Sequence, residues 1–379
     1  MIELEKYKAG HFEKGYNYQY FVPSPINDQW VWKDAVINQL IEKAAVKLGE
    51  LNSFARLVPN IDLFIQLHVA KEAVVSSRIE GTRTNINEAL LPQEEIKPER
   101  RNDWKEVNNY ITALNSAIDE LQTLPISSRL LKKTHALLLD SVRGANKLPG
   151  EFRNSQNWIG GNTLNDAVFI PPHHKFVSEL MGDLEQFIHN KDIPVPAIIR
   201  IAIAHYQFET IHPFLDGNGR IGRLLITLFL VSEKILDKPL LYLSIFFEKN
   251  KSLYYDNLTF VRTKNDMKQW LKYFLVGIEQ TAAVAVQTLS DVLKLKSDLE
   301  TMIMKKFGRR SHTAIALLQA LFHNPFVTVE QAAKICKISY KAANDLVALM
   351  GEHKILTEMT GQSRNRIFVF QTYLSIFEG

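Results

Sequence analysis

Through most of the chain the apolar positions recur every three to four residues, and the segments they mark are helical. Residues 1–32 are the exception, where Tyr16, Tyr18, Tyr20, Phe21, Trp30 and Trp32 stand with Pro23 and Pro25 in an aromatic lead-in that suits packing on a core. From Asp34 the helical period begins, giving Ala35–Asn52 and, after Pro59, a segment from about Ile61 to Glu80 that Gly81 ends as a C′ residue. The stretch 84–103 is polar, carries Pro92 and Pro98, and reads as a connection. Helices return at Trp104–Thr123 and Ser127–Ser141; His135 in the latter reads as a packing or surface residue, because no ligand partner stands at metal spacing. Residues 144–172 break the pattern with five glycines and prolines before Pro171-Pro172, and a short hairpin fits at Asn162–Phe169, with Ala167, Val168 and Phe169 as its second arm after Asp166. Helical spacing resumes at Phe176–His189, at Ala197–Ile211 behind Pro194 and Pro196, at Ile221–Val231, from Ser252, and in two helices, Met267–Ala285 and Val286–Met304.

The last 75 residues have a different grain. A basic linker, Lys305–Ser311, leads to helical runs at Thr313–Phe322, Thr328–Ile335 and Tyr340–Met350, then to extended runs at Ile355–Thr360 and Arg366–Phe370 around 361–365. That order resembles a winged helix-turn-helix domain with Tyr340–Met350 in the recognition position. The chain therefore divides into 1–103, 104–304 and 305–379.

Charge sharpens this division. Net charge is +4, but residues 305–379 hold ten Lys/Arg against five Asp/Glu, so the C-terminal segment carries the basic excess. An acidic partner is one reading, with DNA contact through Lys341, Asn344 or Arg364; a protein contact is the other. A single cysteine, Cys336, rules out an internal disulfide framework and a cysteine-rich zinc site, which suits a reducing, cytoplasmic setting. The start, Met1–Tyr16, lacks the apolar core of a signal peptide, and the longest apolar run, Leu224–Val231, is too short for a bilayer, so no membrane partner is expected.

The chemistry concentrates in residues 212–223, His-Pro-Phe-Leu-Asp-Gly-Asn-Gly-Arg-Ile-Gly-Arg. Gly217 and Gly219 allow backbone N–H groups to converge on an anion, and the helix that follows points its free N–H groups and dipole the same way. Arg220 and Arg223 add guanidinium forks, Asp216 is the hard oxygen ligand a nucleotide-bound magnesium takes, and His212 is a candidate general base. The Gly-Lys-Ser/Thr ending of a P-loop is missing, and no kinase signature set is present.

Residues 212–223 resemble the signature of the Fic family, His-x-Phe-x-Asp/Glu-Gly-Asn-Gly-Arg-x-x-Arg, at every specified position. The resemblance implies a mainly α fold, a helical bundle carrying one β-hairpin flap. It implies AMP transfer from Mg2+-ATP to a Ser, Thr or Tyr hydroxyl of a target protein, with Gly217, Asn218, Gly219, Arg220 and Arg223 on the nucleotide, Asp216 on the metal and His212 as base. Asn218 would both fix the loop and contact a phosphate. By the same resemblance Tyr254 is a candidate for the adenine, although two core tyrosines at 254 and 255 read equally well. Asp166–Phe169 would form a flap that aligns the target by strand-like pairing. Ser76, Glu80 and Gly81 resemble the family's inhibitory Ser-x-x-x-Glu-Gly motif, whose glutamate pairs with the second arginine of the signature, here Arg223. Self-modification and a homodimer stay open, as do a kinase, AMP removal, and a DNA-binding regulator whose Fic module senses nucleotide. The C-terminal segment is expected to be dispensable for self-modification.

Overall fold

In a computed structural model of the chain, the described residues are 1–58, 61–361 and 366–378. Four short strands open it, β1 (Ile2–Glu3), β2 (Gly10–Lys14), β3 (Gln19–Pro23) and β4 (Trp30–Val31); β2 and β3 pair as an antiparallel hairpin, β1 and β4 in parallel. The helices α1 (Ala35–Leu57), α2 (Asp62–Ile79), α3 (Ile86–Leu90), α4 (Arg101–Glu120), α5 (Ser128–Leu138), α6 (Val177–His189), α7 (Ala197–Ile211), α8 (Asn218–Ser232), α9 (Ser244–Lys249), α10 (Lys251–Lys264) and α11 (Met267–Lys306) follow.

At the centre lie α7 and α8. Every residue from Ile198 to Ile211 is buried, and α8 is buried through most of its length. A helix with no solvent face is fixed on all sides, so the loop that joins α7 to α8 inherits their rigidity. Around them α1 packs along α11, tied at one end by Asp34. Its carboxylate caps α1 through the N–H groups of Val36 and Ile37 and binds Lys268 and Lys272 of α11 at 2.8 and 2.7 Å.

Two helices are longer than the sequence pattern suggested. α1 runs on to Leu57, since Leu51 and Ala55 continue its buried stripe and no breaker occurs before Pro59. The expected pair at 267–285 and 286–304 is one helix of 40 residues. It contains no proline, and its one glycine, Gly277, lies under the Phe246 ring, where a Cβ would come within 2.8 Å of the ring carbon Cδ1. The expected divisions after residues 103 and 304 both fall inside helices, α4 and α11.

The C-terminal part comprises α12 (Ser311–His323), β5 (Phe326–Thr328), α13 (Val329–Cys336), α14 (Tyr340–Glu352), β6 (Thr357–Glu358), β7 (Ile367–Val369) and α15 (Gln371–Glu378). β7 lies between β5 and β6, antiparallel to both. Thr328 and Gln331 form a reciprocal capping box at the start of α13. This part does not stand apart: the Phe322 ring meets Phe64 of α2 edge-on at 5.7 Å, and Phe377 meets His68 of α2 at 5.0 Å. Arg364, offered above as a wing-tip contact, lies outside the described residues. Among the described residues no helix is long and apolar enough to cross a membrane.

Candidate functional site

The signature loop is held from below by its own backbone. α7 ends at His212, in the left-handed conformation (φ 51°, ψ 60°), with its N–H donating to the Phe208 carbonyl at 2.9 Å. The Asn218 side chain closes the loop: its Oδ1 accepts from the Phe214 N–H and its Nδ2 donates to the Phe214 carbonyl, both at 2.8 Å. With Asn218 only 2% exposed, that amide fixes the loop, and these two bonds use one of its two Nδ2 hydrogens. Gly217, at φ 77°, turns the chain into α8, so the unpaired N–H groups of α8's first turn open onto the loop.

His135 supports this turn. Its ring stacks on Phe214 at 3.8 Å, Nε2 donates to the Asp216 carbonyl at 3.0 Å, and Nδ1 accepts from the Gly150 N–H at 2.9 Å. Burial pulls its pKa down to about 4, which keeps the neutral tautomer those two bonds need.

The two arginines have separate partners. Arg220, 1% exposed, binds Glu106 of α4 at 3.2 Å and lies 3.6 Å from Asp216; Arg143 also reaches Glu106, at 3.3 Å. Arg223 donates through Nε to the Ser76 hydroxyl and through Nη2 to the Ser76 carbonyl, both at 2.9 Å, and through Nη2 to Glu80 at 2.7 Å. The Glu80 carboxylate rests against the bare Cα of Gly219, where any Cβ would strike its Oε1. It thus occupies the head of α8, the place where an anion gains most from helix dipole and free N–H groups. Burial alone would raise the Glu80 pKa, but Arg223 reverses that and holds it below the usual carboxylate value. For Arg223 burial works against the charge, and Glu80 more than compensates.

The Fic/DOC family N-terminal model matches residues 38–119, and the Fic/DOC family model matches residues 125–230. The chain belongs to the Fic/DOC family.

Among curated Fic relatives, protein adenylyltransferase Fic of Aedes aegypti is 28% identical over 190 residues, 50% of this chain and 33% of that protein. Protein adenylyltransferase fic-1 of Caenorhabditis elegans is 27% identical over 150 residues, 39% of this chain and 26% of that one. The chain thus spans about a third or less of the curated relatives it matches. Among solved Fic folds, a Fic family protein from Desulfovibrio desulfuricans G20 superposes with a TM-score of 0.55 at 18% identity, covering 89% of this chain and 96% of that one. A Fic domain containing signalling protein from Bacteroides thetaiotaomicron gives 0.53 at 19% identity, over 68% and 97%.

Around this Fic signature several expected residues sit differently. The flap is no two-armed hairpin. One antiparallel bridge joins Ile159 to Phe169, and Gly160 and Gly161, both at positive φ, begin an irregular turn. The Asp166 carboxylate takes the N–H groups of Asn162 and Thr163 at 2.9 and 2.6 Å, and this side-chain turn competes with strand pairing. Val168 is exposed, Phe169 buried and Ala167 half-buried. The root of this turn is strapped to the signature. Arg153 donates to the carbonyls of His212, at 2.9 Å, Ile211 and Pro172, and Asn157 donates to those of His212 and Phe214.

Tyr254 does not face a nucleotide site. It is 1% exposed, stacks on Phe247 at 4.3 Å, and its hydroxyl donates to His205 Nε2 at 2.9 Å. The His205 Nδ1 is committed to the Gly222 carbonyl, so this tyrosine is a core residue and the adenine contact expected of it does not fit.

Three functional neighbours escaped the sequence reading: Glu106, Arg153 and Glu209. Glu106 had a visible signal, since it falls on the stripe of α4 that includes Tyr110, Ala113 and Ala117, a charge in an apolar row. Arg153 closes the Pro-Gly-x-Phe-Arg stretch at 149–153, similar to the family pattern, but its carbonyl partners are distant in sequence; Glu209 showed only as a carboxylate three positions before the candidate base.

Proposed function

We propose that this Fic protein is a protein adenylyltransferase that moves AMP from ATP onto a Ser, Thr or Tyr hydroxyl of a target protein or of itself, and that Glu80 restrains it. One observation carries the reading: the Glu80 carboxylate sits on Gly219 and Arg223, so the chain's own anion fills the anion site at the head of α8. The γ-phosphate of ATP would compete for the same guanidinium fork. With Glu80 in place ATP would bind with its phosphates misdirected; with Glu80 withdrawn, the triphosphate lies along the Gly217–Arg220 backbone, with Arg223 on the γ-phosphate.

His212 then takes the proton of the target hydroxyl, the new bond forms between that oxygen and the α-phosphorus, and the bond to the bridging oxygen breaks to release pyrophosphate. Arg223 and the α8 N-terminus face the charge that develops on the leaving group. Arg220 is bound to Glu106 and so fixes the loop before it touches phosphate.

Asp216 fits a magnesium ion. Its Oδ1 is engaged by the Gly217 N–H, while Oδ2 points at the bare Cα of Gly144, where a Cβ would come within 2.8 Å. Among the described residues no cluster of three or more His, Cys, Asp or Glu could hold a metal alone, so phosphate oxygens and water would complete the shell. When bound, the ion offsets the phosphate charge.

For the C-terminal part, the order helix, strand, two helices and two strands supports a winged-helix domain. Lys341 is exposed there, whereas Asn344 is bound to Arg366 at 2.9 Å. Partner recruitment by this domain is the reading we favour.

Incubating Glu80→Gly protein with ATP labelled at the α- or the γ-phosphate tests the assignment. Protein-bound label from the α-position alone is expected; label from γ alone would replace AMP transfer by a kinase reaction.

A further inference from the structure

We propose that Glu209 is a positioning residue for the base: its carboxylate, 4.0 Å from His212 Nδ1, orients the ring and offsets the charge that appears when the opposite nitrogen takes a proton. The inference rests on the reading of His212 as base.

Glu209 is the last charged residue of α7, three positions before His212 and 6% exposed. Its Oε1 and the His212 Nδ1 are both buried and both without a hydrogen-bond partner. A buried carboxylate with spare acceptor capacity is costly, and a buried ring nitrogen without a partner adds to the cost. The two unpaired atoms belong to neighbouring side chains that could satisfy each other with a small rotation. Room for the carboxylate is made by Gly222 on α8, where any Cβ would strike Glu209 Oε1. Four residues earlier, His205 grips the Gly222 carbonyl, so α7 brackets this glycine from two sides.

No other charged side chain facing the pair takes this role; the competing acceptor is the Glu209 backbone carbonyl, which also favours a protonated His212 but carries no full charge. Arg223 directs its fork to Ser76 and Glu80. Arg262 binds the Glu209 carbonyl at 3.2 Å and the Thr210 hydroxyl at 3.1 Å, fixing the last turn of α7 without touching the carboxylate. Arg153 is occupied by carbonyls, including that of His212. Tyr254 gives its hydroxyl to His205. Glu80, which faces the same Arg223, is an anion and cannot pair with Glu209.

The proton balance is simple. The target hydroxyl loses its proton to Nε2, the ring nitrogen not sealed in the core; Nδ1 carries the ring's original N–H throughout and directs it to Glu209. Glu209 stays ionised and takes no proton. After release of pyrophosphate the imidazolium loses its proton to water. Burial pulls the His212 pKa down to about 3, so an imidazolium there needs a counter-charge; burial also pushes Glu209 up to about 7, so the counter-charge itself forms near neutrality. The sign follows: activity dependent on ionised Glu209 rises as pH increases through about 7.

The experiment compares Glu209→Gln with its parent, both in the Glu80→Gly background, for transfer of α-labelled AMP between pH 6 and 8.5. Expected is a fall in kcat of roughly 10- to 100-fold with KM for ATP little changed, loss of the pH rise seen in the parent, and partial rescue by Glu209→Asp. An unchanged kcat and pH profile in Glu209→Gln overturns the proposal. A parent that transfers no AMP instead strikes the adenylyltransferase reading. In that case NMR of 15N-histidine-labelled protein decides on Glu209: the Nδ1-protonated form of His212 dominates in the parent and declines in Glu209→Gln, whereas an unchanged tautomer sinks the proposal.

Discussion

The two halves of α2 are attached to the molecule by different physics. Phe64, His68, Glu72, Ser76 and Glu80 follow one another at intervals of four, a row that drifts by about 40° per step around a helix of 3.6 residues per turn. At its start the row meets the C-terminal part through aromatic edges, Phe64 on Phe322 and His68 on Phe377. At its end it meets Arg223 through three directed hydrogen bonds. Glu72 stands between, buried and bound to Tyr110 at 2.9 Å and to Ser244. The aromatic half is held by area and shape, which tolerate substitution and yield gradually. The polar half depends on single atoms, and loss of one changes the state of the site. One helix therefore joins a graded contact to an all-or-none one.

The strongest break comes at the polar half's target. His212→Ala is expected to reduce transfer by about 100- to 10,000-fold while nucleotide affinity, followed by calorimetry, stays within a few-fold. Arg223→Ala is expected to cost about 100- to 1,000-fold even in the Glu80→Gly background. Activity near that of the parent would show that this guanidinium serves only the clasp. Glu80→Gly should raise self-modification at least about tenfold, with Glu80→Asp in between because its shorter arm reaches less far. An unchanged rate, where wild type is measurably slow, would reduce Glu80 to a helix-end carboxylate.

The aromatic half predicts smaller effects. Phe377→Ala should raise self-modification a few-fold in the wild-type background and leave the Glu80→Gly rate unaltered, since it meets α2 at His68, on the row that ends at the clasp. Equal effects in both backgrounds would refute that route. A chain ending at Met304, expected to retain self-modification, loses Phe322 and Phe377 from α2, so self-modification at a changed rate is the expected result. Smallest is the effect of pH on stability. Glu80 has a lowered pKa in the folded chain, so its pairing with Arg223 contributes fully above the ordinary value of 4.5 and is lost as pH falls through the folded one. The Tm difference between wild type and Glu80→Gln should be a few degrees at most near neutrality and vanish in acid.

Sequence alone made the helical framework and the anion loop legible, because helical periodicity and glycine placement act over a few residues. The Arg223–Glu80 pairing was legible only through the family resemblance, since nothing in spacing links residues 143 positions apart. For Tyr254 the sequence left adenine contact and core packing open, because burial is a property of the finished core and not of its neighbours in sequence. Asn162–Phe169 misled because a hairpin was fitted without weighing Asp166, whose carboxylate offers the backbone a turn in place of a ladder. The break expected between residues 285 and 286 misled because nothing in the local sequence marks whether a helical pattern ends there, and α11 passes through it unbroken.

That unbroken helix sets a mechanical scale. Forty residues at 1.5 Å each make a rod of about 60 Å, long enough that a tilt of about one degree at one end moves the other by about 1 Å. The distance from Arg223 Nη2 to Glu80 is 2.7 Å, and a displacement of that size breaks a hydrogen bond. Leverage, and not contact area alone, decides how small a force on the C-terminal part suffices to be felt at the signature.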